Sequence, residues 1–406
     1  MPFDLGTIWA SVGLNTQKLD DGLMAAQIKL AGADKTLTTF GQKLTLSSTK
    51  LMIAGGLMAG SVLAVGTATV KMASQFETSM RNVNSISKLS EDQFKKQSDA
   101  VLTLSTKLPQ SAKVLADGLY DIASSGFQGA DGLKVLEASA KAASAGMSDT
   151  ATAAKGVTAV LNAYGFEAED AAAVSDTMFR TVDKGVITFE ELSSTVGDWV
   201  GIAKIASLSF NEAAGAIAYM TTKGISASEA GTSFQRMILG IIKPTDEMAA
   251  VIHNAGYESG EMMLKTLGLT GTMKFLNDAT DGSITKMYEL IPQIRGMRGA
   301  NALLGAGYEE LTNYMADFND TAGATDIALK EQEKSLSFQL ALLKNNASAV
   351  AIALGSELIP SITKYVKSLS EFIQKHKDGS VEIAKFGGAA IGIIGGLLLL
   401  AGTIGK

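Results

Sequence analysis

At 406 residues, with 42 glycines, 46% apolar residues and only 6% aromatics, the chain is too long for one core and too poor in rings for a thick one. Its net charge of −6 comes with no basic stripe to neutralise phosphates, which argues against a dedicated nucleic-acid binder. The absence of cysteine excludes disulfides, thiol catalysis and thiolate metal sites, and fits a cytosolic product.

The start, Met1-Pro2-Phe3-Asp4, lacks a basic n-region, so export by a cleaved signal is not expected. Phe3 to Val12 reads as one short strand. From Thr16 the pattern becomes helical: Leu19, Leu23, Ala26, Leu30, Ala33, Leu37, Phe40 and Leu44 alternate steps of 4 and 3, a heptad seam. So narrow a seam suits another helix, or another copy of itself, better than a broad core.

Leu51 to Val70 is 20 residues without charge between Lys50 and Lys71, the length that spans a bilayer. Its glycines and hydroxyl residues offset its Leu, Ile and Val, so insertion is marginal. Gly56 and Gly60 form a G-x-x-x-G pair, which lets helix backbones approach closely. Lys71 to Ile86 continues as a helix.

The centre of the chain, Ser90 to Pro244, is punctuated by Gly126, Gly146, Gly165 and Gly185, spaced by 20, 19 and 20 residues, with Gly224 a further 39 on. Each period reads as a helix of about 15 residues with a glycine stop, left-handed because glycine alone adopts that conformation without steric cost. Ser90–Gln93, Thr188–Glu191, Ser209–Glu212 and Ser226–Glu229 have the form of capping boxes. Leu115, Leu119 and Ile122, and Leu192, Val196, Val200 and Ala203, keep helical spacing. Past Pro244 glycines crowd and shorter helices are expected.

From Ser335 the seam returns as Leu336, Leu340, Leu343, Ala347, Val350 and Leu354, up to an expected interruption at Pro360. Phe386 to Gly405 is a second uncharged run, with Gly388, Gly392 and Gly396 in overlapping G-x-x-x-G pairs, and reads as cut from a longer protein. The expected fold is all-α: an array of short antiparallel helical hairpins flanked by long heptad-patterned helices and two 20-residue apolar helices. Its segments are 1–50, 51–71, 72–334, 335–385 and 386–406.

Little of this carries chemistry. Arg180 to Glu191 imitates half a calcium loop, but Arg180, Val182 and Lys184 would occupy the ligand positions that need carboxylates. His253 and His376 belong to no catalytic or metal pattern, and no phosphate-cradling or dinucleotide glycine motif occurs. Asn346-Ala347-Ser348 fits a glycosylation triplet but sits on the seam, so it reads as incidental. The sequence therefore predicts no catalytic residue, no metal and no cofactor.

Four stretches together resemble one family. They are Met72 to Met80, with Phe76-Glu77 and Met80; Leu208 to Ile217 with Gly224-Ile225-Ser226 and Ala230 to Arg236; Arg295 to Ala300; and Gln339 to Asn345 through Leu358-Ile359-Pro360. In order and spacing they are similar to the N-terminal portion of the tail tape measure proteins of long-tailed bacteriophages and prophages. The resemblance implies an elongated, multi-copy structural protein of the tail lumen, present in host cytoplasm during assembly. It implies as partners the tail tube, tail-tip proteins and an assembly chaperone. It also implies roles in fixing tail length and in genome ejection at the host membrane. The usual long ruler segment is missing here. The alternative is a helical integral membrane or pore-forming protein using the two apolar runs as spans.

Overall fold

The structure, a computed structural model, describes residues 58–305 and 308–375, and among these there is helix and connector but no strand. The expected strand, the seam from Leu19 to Leu44, Leu51 to Leu57 with Gly56, and Phe386 to Gly405 with its three glycines lie outside the described residues. Gly60 falls in helix α1 (Met58–Ser87). No helix among the described residues is long and apolar enough to cross a membrane.

The chain divides into two units, Gln75–Val350 and a second made of Met1–Ser74 with Ala351–Lys406. The first is built on α3 (Ala112–Ser124), α4 (Gly129–Ala145), α5 (Thr150–Tyr164), α6 (Ala171–Lys184), α7 (Phe189–Ile205), α8 (Phe210–Thr222) and α9 (Ala227–Ile242). Each helix packs on the next and on the next but one. One row therefore holds α3, α5, α7 and α9, and the other α4, α6 and α8. The structural repeat is a helix pair: Gly126 and Gly165, Gly146 and Gly185, and Gly185 and Gly224 each lie 39 residues apart.

The residues read as apolar stripes on α3 and α7 are buried, and Trp199, fully buried, stacks on Phe210 and meets Phe234 edge-on. Small residues set the helix spacing. A Cβ on Gly156 of α5 would come within 2.8 Å of Met178 on α6 and Ser193 on α7, and one on Gly231 of α9 within 2.8 Å of Trp199.

The glycine stops are of two physical kinds. Gly126 (φ 106°) and Gly165 (φ 69°) are left-handed, with open space where a side chain would stand. The next residue then closes the helix end, as in Phe166 N–H to Leu161 O at 2.9 Å. Gly146 and Gly185 are not left-handed, which corrects the uniform reading. Met147 takes the left-handed place beside Gly146, with φ 52°, and a Cβ on Gly146 would lie 2.6 Å from Phe189. Glycine is there for space rather than for backbone freedom. Where the series skips a beat, Ser207 is left-handed instead (φ 60°), and Leu208 N–H closes on Ala203 O at 3.0 Å.

Three of the four capping boxes close in both directions, those opened by Ser90, Thr188 and Ser209. The fourth is half made. Ser226 accepts from the Glu229 N–H, but the Glu229 carboxylate has turned to Arg298 at 2.7 Å. Glu212 also reaches beyond its own box, where its other oxygen accepts from Leu269 N–H, beside the non-helical Gly268 that bends α11 (Gly260–Ala279). α2 (Glu91–Ser105) packs on α3 and α4, while α10 (Asp246–Asn254), α12 (Ile284–Leu290) and α13 (Ile294–Leu304) follow α9, with α13 against it. The calcium look-alike is therefore a crowded glycine followed by a cap.

Gly146→Ala should cost roughly 1–3 kcal/mol by overpacking against Phe189, measured by urea unfolding, and most of that loss should vanish in a Phe189→Leu background. Gly126→Ala, strained by its backbone and touching nothing, should show no such rescue. The Glu191 carboxyl is held below its usual range by the Thr188 backbone N–H and then its hydroxyl. Its contribution is therefore present above the unfolded carboxylate pKa and lost as pH falls through the lowered one. A Glu191→Gln variant should show a flatter dependence of stability on pH across the acid range.

Candidate association surface

Helix α16, Leu336–Lys375, is unbroken, so the interruption expected at Pro360 does not occur. A proline inside a helix lacks the N–H for one bond to the carbonyl four residues back, here that of Ser356, while the turns on either side continue. The helix carries two different faces. Phe338, Asn345, Ala349 and Ile352 are buried. Leu336, Leu340 and Leu354 are 72%, 55% and 56% exposed, Ala347 and Val350 are exposed, and Leu343 is half-buried.

At 3.6 residues per turn the two stripes lie roughly 160° apart. The seam thus points away from the chain's own core. Between Leu336 and Leu354 the only charged residue is Lys344. Most of this helix face is therefore apolar and exposed among the described residues.

The opposite face is fixed by a residue the heptad pattern does not contain. Asn345, 5% exposed, donates to Leu108 O at 3.0 Å and Gln110 O at 2.9 Å, satisfying carbonyls of the turn around Pro109. Asn346 donates to Leu342 O at 2.8 Å and Thr106 O at 3.4 Å. The glycosylation-like triplet is thus helix, with its asparagine engaged. Two adjacent asparagines inside an apolar helix were the available signal, since burial obliges such amides to find partners.

Another glycine makes a close helix contact among the described residues. In the second unit, Gly355 of α16 lies so near α1 that a Cβ would come within 2.6 Å of Thr69 O and the Ala73 Cβ. That is a close small-residue helix contact, made by a glycine the G-x-x-x-G pattern does not contain.

Elsewhere, the clusters found among the described residues serve structure. Among the described residues no group of three His, Cys, Asp or Glu could hold a metal. His253 is exposed on α10, and His376 lies outside the described residues. A cleft of about 770 Å³ is lined by Lys223, Glu229 and Arg298, but Arg298 pairs with Glu229 and Lys223 with Glu310. A second, about 660 Å³, is lined by Tyr164, Phe166, Lys204 and Phe210. Burial, then the Glu212 charge, pushes the Tyr164 phenol up, and its O–H donates to Leu208 O at 3.0 Å. These groups hold structure together.

Residues 98–288, which include most of the hairpin array, match the family model described as phage-related minor tail protein. The tape measure protein of Pneumococcus phage Dp-1 is 24% identical over 99% of this chain and 36% of its own length. The probable tape measure protein of Clostridium phage phiCD119 is 22% identical over 80% of this chain and 36% of its own length. The chain is similar to phage tail tape measure proteins. It spans about a third of the length of the curated relatives it matches. No solved structure matches it.

Asn345→Ala should lower stability by roughly 1–3 kcal/mol, the cost of leaving buried carbonyls unpaired. Leu354→Ser, on the opposite face, should change it by no more than about 0.5 kcal/mol at concentrations where the chain is monomeric. Urea titration of the two variants checks the assignment of the faces.

Proposed function

We propose that the chain is a structural component of phage tail assembly, the head portion of a tape measure that sets tail length, and that copies associate through the α16 seam. The carrying observation is that this seam is continuous, apolar and turned outward, while Asn345 and Phe338 hold the other face down. A half-buried or polar face would need no partner; this one leaves four large side chains in water. Similarity to phage tape measure proteins supplies the setting.

In this reading the hairpin array is a folded knob, and the seam from Leu19 to Leu44 is a second association element. Tail tube, tail-tip proteins and an assembly chaperone are its neighbours in the virion tail. The uncharged runs Leu51 to Val70 and Phe386 to Gly405 serve contact with the host membrane at genome ejection. No catalytic residue is assigned.

Two measurements decide it. Sedimentation of the full chain should give a multimer that weakens at least about tenfold in the Leu340→Asp/Leu354→Asp variant, each buried leucine being worth roughly 1.5–3 kcal/mol, with helix content unchanged. A chain that stays monomeric at every concentration overturns the association. Mass spectrometry of purified tails should find the protein, and tails without it overturn the structural role.

A further inference from the structure

Between α13 and α16 the chain runs back along the row of α4, α6 and α8 as two short helices, α14 (Tyr308–Ala316) and α15 (Ala324–Glu333), joined by an irregular connector. It meets the repeats in reverse order. α14 and the connector lie on α8, where Gly215 makes room for Met315 and Phe318. The connector and the start of α15 lie on α6, and α15 continues onto α4, where Lys141 reaches Asp326 at 3.7 Å. Gly215, Asp176 and Glu137, the last holding Lys141 at 3.3 Å, are 39 residues apart, so equivalent positions of successive repeats form the track.

The fastening is made by polar groups of both the array and this segment. Asn211 donates to Phe318 O at 2.8 Å, and the Thr177 and Thr321 hydroxyls meet at 3.0 Å. Tyr314 O–H donates to Lys184 O at 2.7 Å, and Lys184 pairs with Asp317 at 2.8 Å. At the start of α15 the cap residue is Gly323, which has no side chain to offer. Its place is taken by Asp176 of α6, which accepts from Gly323 N–H at 2.7 Å and Thr325 N–H at 2.9 Å. Asp176 thereby starts a helix that is distant in sequence.

We infer that Tyr308 to Glu333 is a strap that leaves the hairpin array as one unit while the array stays folded, with Asp176 as its latch. Helices this short do not hold their shape alone in water, so a detached strap melts as a whole. α3, α5, α7, α8 and α9 carry side-chain caps of their own, every array helix buries apolar residues against its neighbours, and the Asp176 carboxylate accepts from backbone N–H groups of the strap. The strap is the segment between α13 and α16, so its release would leave roughly 90 Å of extended chain there while Asn345 still holds α16 to the Pro109 turn. This inference stands apart from self-association and from the tail role, since it concerns a single chain.

The test is hydrogen exchange by mass spectrometry on the full chain carrying Asp176→Ala or, from the strap side, Tyr314→Phe. Exchange in 308–333 should rise about tenfold or more in Asp176→Ala, since two charge-assisted bonds are lost, and should rise in the same peptides in Tyr314→Phe. Exchange in α5 and α7 should stay at the wild-type rate in both. An equal rise in α5 and α7 would mean that strap and array open together, and unchanged exchange in 308–333 in Asp176→Ala would mean that Asp176 is no latch; either overturns the proposal.

Discussion

Close approach of helices through small residues is the constraint on which the rest of the fold depends. Gly156 lets α5 sit against Met178 and Ser193, and Gly231 brings α9 onto Trp199. Gly299 of α13 lies so near Ser233 that a Cβ would come within 2.9 Å of its carbonyl oxygen. With aromatics at 6%, the array has few rings to fill gaps, so its helices must come close enough for alanine and glycine to do so. That closeness explains why glycines persist where the backbone does not need them, as at Gly146.

A second consequence concerns polar groups. Connectors squeezed between close helices cannot satisfy all their carbonyls and amides locally, and side chains from distant segments complete them. Asn345 serves the Pro109 turn, Asp176 the start of α15, and Glu212 the bend of α11. These residues tie parts of the chain together that apolar contact alone would leave loosely registered. Hydrogen bonding at such points is directional, so it selects one arrangement where hydrophobic burial tolerates several.

The same division of labour separates the array from α16. The array buries its apolar faces helix against helix, whereas among the described residues α16 buries one stripe and exposes the other. The strap lies between the two, fastened to the array by polar contacts and continuous with α16.

Local chemistry was legible in the sequence because it is local. Helix spacing, the serine and threonine caps and the left-handed stops at Gly126 and Gly165 depend on neighbours three to five residues away, and all are found in place. The α16 seam was legible too, as a period. What tertiary structure alone decided was which way each group faces. Glu229 left its box for an arginine 69 residues away, Met147 took the left-handed place beside a crowded Gly146, and the seam turned outward because Asn345 found carbonyls 235 and 237 residues back along the chain. Partners that far apart in sequence leave no periodic trace, so only the folded chain could name them.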